Sequence, residues 1–82
     1  MNAAFLVGDR VRLKTQPPYF KTADPMPMLR PPDLISVGEE GVVVEQRLAG
    51  YWSVKFERGA LLVDGAYLER AIVASQPEET DS

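Results

Sequence analysis

In GDRVRLKT, residues 8–15, Val11 and Leu13 fall on one side of an extended chain, and Arg10, Arg12 and Lys14 fall on the other. A period of two marks a half-buried strand, starting after Gly8. YWSVKF at 51–56 alternates as cleanly. Trp52, Val54 and Phe56 share one face; Tyr51, Ser53 and Lys55 share the other. Three large apolar residues at period two seldom face water together, so Trp52 is expected in a core rather than as an exposed binding aromatic. Val42, Val43 and Val44 favour a strand through β-branching, but three in a row leave their facing open. Gly38 and Gly41 bracket a turn before them. In LAG at 48–50, Gly50 is free to take positive φ and connect two strands. ERG at 57–59 is a second tight turn, leading into ALLVD. DGAYLER opens on a turn at Asp64–Gly65, followed by a single 3₁₀ turn over Ala66–Leu68 and a last short strand to Ile72.

Five short strands, tight turns and no long helix predict an all-β fold, a small five-stranded barrel. Closure would remove the unpaired edges of such a sheet. The order is strand, long loop, strand, hairpin, hairpin, one-turn helix, strand, which is the SH3-like order. The barrel domain is expected over 1–72. VASQPEETDS, 73–82, reads as a disordered acidic tail whose charge serves solubility.

The periodicity fails between Gln16 and Val42. PPYFKTADPMPMLRPPD, 17–33, holds six of the seven prolines yet carries Tyr19, Phe20, Met26, Met28 and Leu29. Long loops without secondary structure are uncommon in compact domains and tend to be functional or disordered. Here the prolines argue against disorder. Gln16, Pro17, Asp24, Met26, Arg30 and Pro31 each precede a proline and are biased towards extended backbone, so less entropy is lost on ordering. The loop corresponds in position to an RT loop. Phe20, Met28 and Leu29 either plug the barrel or form an adaptable apolar surface, a role methionine suits. Tyr19, Lys21 and Arg30, with polar tips, favour a surface role.

Eighty-two residues, 45% hydrophobic and 26% charged, make one domain at most. The chain has no cysteine and no histidine. Disulfides, a thiol nucleophile and the commonest general base and metal ligand are therefore absent. The clustered carboxylates Asp33, Glu39 and Glu40 sit beside a glycine turn and read as solvated. GEEG lacks the lysine of a phosphate cradle. No catalytic reading stands out, so a non-enzymatic protein without metal or cofactor is expected. The net charge of −3 is uneven. Residues 1–72 carry nine acids against nine bases, and the tail adds Glu78, Glu79 and Asp81. A neutral body and an acidic tail argue against nucleic-acid binding, despite the row Arg10, Arg12, Lys14. That row reads first as a solvated face and second as a partner-facing one. MNAAFLVGDR lacks the basic region of a signal peptide, and no apolar run reaches the roughly 20 residues of a membrane span. A monomer in the cytoplasm, without direct membrane insertion, is expected.

The motif PPYFKTADPMPMLRPPD, with GEEGVV and GYWSVKF after it, resembles the SipA family of small cyanobacterial proteins and related plastid proteins. The similarity spans about Val7 to Glu69. The resemblance implies an SH3-like barrel that binds the ATP-binding catalytic domain of the sensor histidine kinase NblS and stimulates its autophosphorylation during light and nutrient stress. For the plant relatives it implies a role in assembling the chloroplast NADH dehydrogenase-like complex. It supplies no residue-level site. From the residues themselves, Tyr19, Lys21, Met26, Met28, Arg30 and Tyr51 are the candidates for partner binding.

Overall fold

The computed structural model describes residues 5–71. It is all-β, with seven antiparallel strands and three single turns of 3₁₀ helix. The strands are β1 (Arg10–Leu13), β2 (Phe20–Thr22), β3 (Leu29–Arg30), β4 (Glu40–Gln46), β5 (Tyr51–Phe56), β6 (Gly59–Asp64) and β7 (Leu68–Arg70). They pair in the order β3-β2-β6-β5-β4-β1-β7. The expected acidic tail lies outside the described residues.

The alternation seen in the sequence is the alternation of the sheet. Val11 and Leu13 of β1 are fully buried, as are Val54 and Phe56 of β5 beside Trp52. Trp52 is therefore a core residue. Its ring meets that of Phe5 edge-on, with centroids 5.5 Å apart at 81°, the geometry that aligns a positive ring edge with a negative ring face. Phe20, Ile35, Val43, Leu61, Val63 and Leu68 complete the core.

Strand β4 explains why three consecutive valines could not be assigned. Val43 opposes Val54, but Glu45 opposes Ser53. Val44 is the extra residue of a β-bulge, which shifts the alternation by one. Val43 is buried, Val42 half-buried and Val44 exposed. On β1, Arg12 stands opposite Glu40 of β4 and Glu69 of β7. Its Nε donates to Glu69 Oε2 at 2.6 Å, and Arg10 pairs with Glu40 at 3.5 Å. Neighbouring strands neutralise this part of the basic row.

Three expectations need correction. There are seven strands rather than five, because the proline-rich segment itself contributes β2 and β3. Its turn is stitched by Thr22, whose N–H donates to the Met28 carbonyl at 2.9 Å and whose Oγ1 accepts from the Met28 N–H at 2.8 Å. The strand pairing is an open ladder ending at β3 and β7 rather than a closed barrel. Strand β3 is two residues long and runs into Pro31 and Pro32, which lack the N–H a further ladder step needs. Finally, 3₁₀ turns occur at Pro32–Leu34, Leu48–Gly50 and Gly65–Tyr67, not once. The last begins one residue earlier than expected, because the Asp64 side chain accepts from the Ala66 N–H at 2.9 Å and starts the turn there.

Three backbone positions shape β4 and its connection to β5. Gly41 is buried where a Cβ would stand 2.8 Å from the Lys55 carbonyl oxygen and 2.9 Å from the side chains of Val54 and Phe56. The β4–β5 connection places Ala49 at φ 60° and Gly50 at φ 80°. Gly50 meets the expectation of positive φ; Ala49 holds that conformation at a steric cost.

Candidate partner-binding site

The proline-rich segment is anchored on both sides. Pro17 is buried, and Phe20 is 1% exposed. The Gln16 side-chain amide donates to the carbonyls of Pro32 and, at 3.0 Å, of Ile35, clamping the two ends of the loop together. Strand β2 pairs with β6, Lys21 opposite Leu62 and Thr22 opposite Leu61. The Ala23 N–H continues that docking to the Ala60 carbonyl at 3.1 Å.

This anchoring builds a groove of about 170 Å³ between the start of the loop and the Tyr51–Asp64 end of the β5–β6 pair. Pro17, Pro18 and Tyr19 form one wall, and Tyr51 and Tyr67 the other, with Lys21 and Asp64 at its polar margin. Tyr51 stands opposite Asp64 in the β5–β6 register. The Asp64 cap sets the 3₁₀ turn that carries Tyr67. The Tyr67 carbonyl accepts from Lys14 N at 2.8 Å, tying that turn to the root of the loop. Among the described residues, none of the three tyrosine hydroxyls is in a hydrogen bond. Flat rings with free polar tips and two prolines make a surface suited to an extended, apolar or proline-bearing segment.

The six candidate residues fall on two surfaces. Tyr19, Lys21 and Tyr51 meet in the groove. Met26 and Met28 belong to the tip of the β2–β3 hairpin, and Arg30 to its base, opposite Phe20. Met26 is 84% exposed, Met28 59% and neighbouring Leu29 66%. The question of plug against surface is thus divided: Phe20 is the plug, and Met28 and Leu29 are surface. Arg30 lines a second cleft, of about 260 Å³, with Arg58 from the β5–β6 turn. Sequence reasoning did not single out Tyr67, Asp64 or Arg58. The turn at Asp64–Gly65 was legible, but no periodicity connects residue 67 with residue 19, or residue 58 with residue 30.

Two of the three clustered carboxylates have structural partners. Glu40 pairs with Arg10, and Glu39 Oε1 accepts from the Ser36 N–H at 3.2 Å. No group of three or more His, Cys, Asp or Glu that could hold a metal ion occurs among the described residues. Nor, among them, is any helix long and apolar enough to cross a membrane.

Residues 7–68 match the family described as Protein CHLORORESPIRATORY REDUCTION 42-like. The chain belongs to this CRR42-like family. No curated protein and no solved structure gives a significant match. The matched span runs from just before β1 to the first residue of β7, and so includes both clefts.

Proposed function

We propose that the protein is a non-catalytic binding module that acts in the assembly of an NADH dehydrogenase-like complex. The name of the CRR42-like family supports that role, and the groove between Tyr19, Tyr51 and Tyr67 supports a docking mechanism. The observation that carries the reading is that an ordered, proline-stiffened loop presents exposed aromatic and methionine side chains from a firmly hydrogen-bonded base. Such preorganisation lowers the entropy lost on binding. The strand order with its long first loop supports reading the fold as SH3-like, and the balanced charge of residues 1–72 favours a protein partner over nucleic acid. The module would work as a monomer in the cytoplasm.

Affinity capture from a photosynthetic cell extract tests the assignment. Subunits of an NADH dehydrogenase-like complex should be enriched with the wild-type protein and lost with Tyr51→Ala. Enrichment of a sensor kinase in their place would reject it. That outcome would favour a second reading, stimulation of a histidine kinase through its ATP-binding domain, motivated by the motif PPYFKTADPMPMLRPPD. Under that reading, the purified protein would raise kinase autophosphorylation and bind the isolated catalytic domain.

A further inference from the structure

The chain has six arginines. Four are in ion pairs: Arg10 with Glu40, Arg12 with Glu69, Arg47 with Glu45 and Arg70 with Asp9. The guanidinium groups of the other two, Arg30 and Arg58, form no ion pair or hydrogen bond among the described residues. These two line the same cleft. They are 28 positions apart and come from different hairpins, brought together because β2 docks on β6. We propose that this cleft is a carboxylate-recognition site for an acidic segment of a partner protein.

The walls give the site its strength. Leu61 is buried, and Leu34, Ala60 and Thr22 are half-buried around it. A charge pair against such a floor is less screened than one on open surface. Asp24 also lines the cleft but pairs with neither guanidinium, so the cleft keeps a net positive charge. Arginine, with its planar fork of donors, matches a carboxylate in two parallel hydrogen bonds. Met26, Met28 and Leu29 extend an apolar surface along the same hairpin. The partner segment therefore carries an acidic side chain with apolar residues beside it. Recognition runs through side chains rather than through an added strand, because β3 offers only two residues before Pro31 and Pro32. A polynucleotide fits less well, since a phosphate backbone needs a row of free cations and this cleft has two.

The inference rests on the protein being a binding module, but not on which complex it serves. The test is an NMR titration of the full chain with a synthetic peptide alternating glutamate and leucine. Its counterpart with glutamine for glutamate, inorganic phosphate and a short single-stranded oligonucleotide are the controls. The glutamate peptide should shift the amides of Thr22, Arg30, Arg58 and Ala60. The glutamine peptide should bind about tenfold more weakly, the usual difference for hydrogen bonds to a charged group. The Arg30→Gln, Arg58→Gln double variant should abolish that difference while keeping its thermal midpoint. Equal binding of the two peptides, no binding of either, shifts centred elsewhere, or tighter binding of phosphate or the oligonucleotide would overturn the proposal. The glutamate–glutamine comparison is made on the wild type and does not depend on the variant folding. A positive titration beside a failed capture rejects only the assigned complex; a negative titration beside a successful capture rejects only this site.

Discussion

Truncating Phe20 to alanine separates the structural part of the proline-rich segment from its exposed part. The ring is 1% exposed and belongs to the same cluster as Trp52, Val54 and Phe56. Removing a buried phenylalanine side chain costs about 3–5 kcal/mol, the lost transfer energy plus the cavity left behind. A domain of this length has roughly 4–12 kcal/mol in all, so Phe20→Ala should take a large share and lower the thermal midpoint by more than about 10 °C. Met28→Asp, eight residues on, acts on a side chain that is 59% exposed. Its backbone hydrogen bonds to Thr22 do not depend on the side chain, so the cost should stay within about 0.5 kcal/mol. Urea titrations measure both. Trp52, the single tryptophan, lies in the core and reports unfolding by fluorescence. A loss above about 2 kcal/mol for Met28→Asp, or below about 1 kcal/mol for Phe20→Ala, would refute the division of the loop into anchor and surface.

Other substitutions probe the frame around the site. Gly41→Ala forces a methyl to 2.8 Å from the Lys55 carbonyl and should cost about 1–3 kcal/mol by overpacking, read as a lower thermal midpoint. Ala49→Gly relieves a left-handed residue at φ 60° and should gain up to about 1 kcal/mol, seen as a higher urea midpoint with unchanged slope. Gln16→Leu leaves the Pro32 and Ile35 carbonyls without their donor and should cost about 1–2 kcal/mol. It should also speed amide exchange at Thr22 and Ala23, where the loop meets β3 and β6.

The strands with regular alternation were legible because a half-buried sheet writes its period directly into the chain. Val11, Leu13, Trp52, Val54 and Phe56 lie where that period puts them. Val42 to Val44 resisted because the bulge at Val44 breaks the period where hydrophobicity is uniform. Phe5 and Ile35 joined the core without any local pattern to announce it; each is placed by tertiary packing. The short pairing of β2 with β3 depends on one threonine hydroxyl and on docking to β6, neither of which is a local property. Of the candidate site, the loop residues were visible through their composition. Tyr67 and Arg58 were not, because only the docking of β2 on β6 brings them to Tyr19 and Arg30.

Strand β1 lies between β4 and β7, with Leu13 opposite Leu68. The β4–β5–β6 meander joins neighbours through short turns, whereas β1 finds its two partners across roughly 30 and 55 residues of chain. Loop-closure entropy must be met before such distant pairings stabilise anything. We expect the meander to form in the folding transition state and β1 and β7 to join after it. Conservative truncations at Val54 should then slow folding, and those at Val11 should chiefly speed unfolding; the reverse pattern in stopped-flow kinetics would sink this order of events. The proline-rich segment is the chain that separates β1 from the meander, and its prolines leave that connection fewer conformations to lose when β1 is captured.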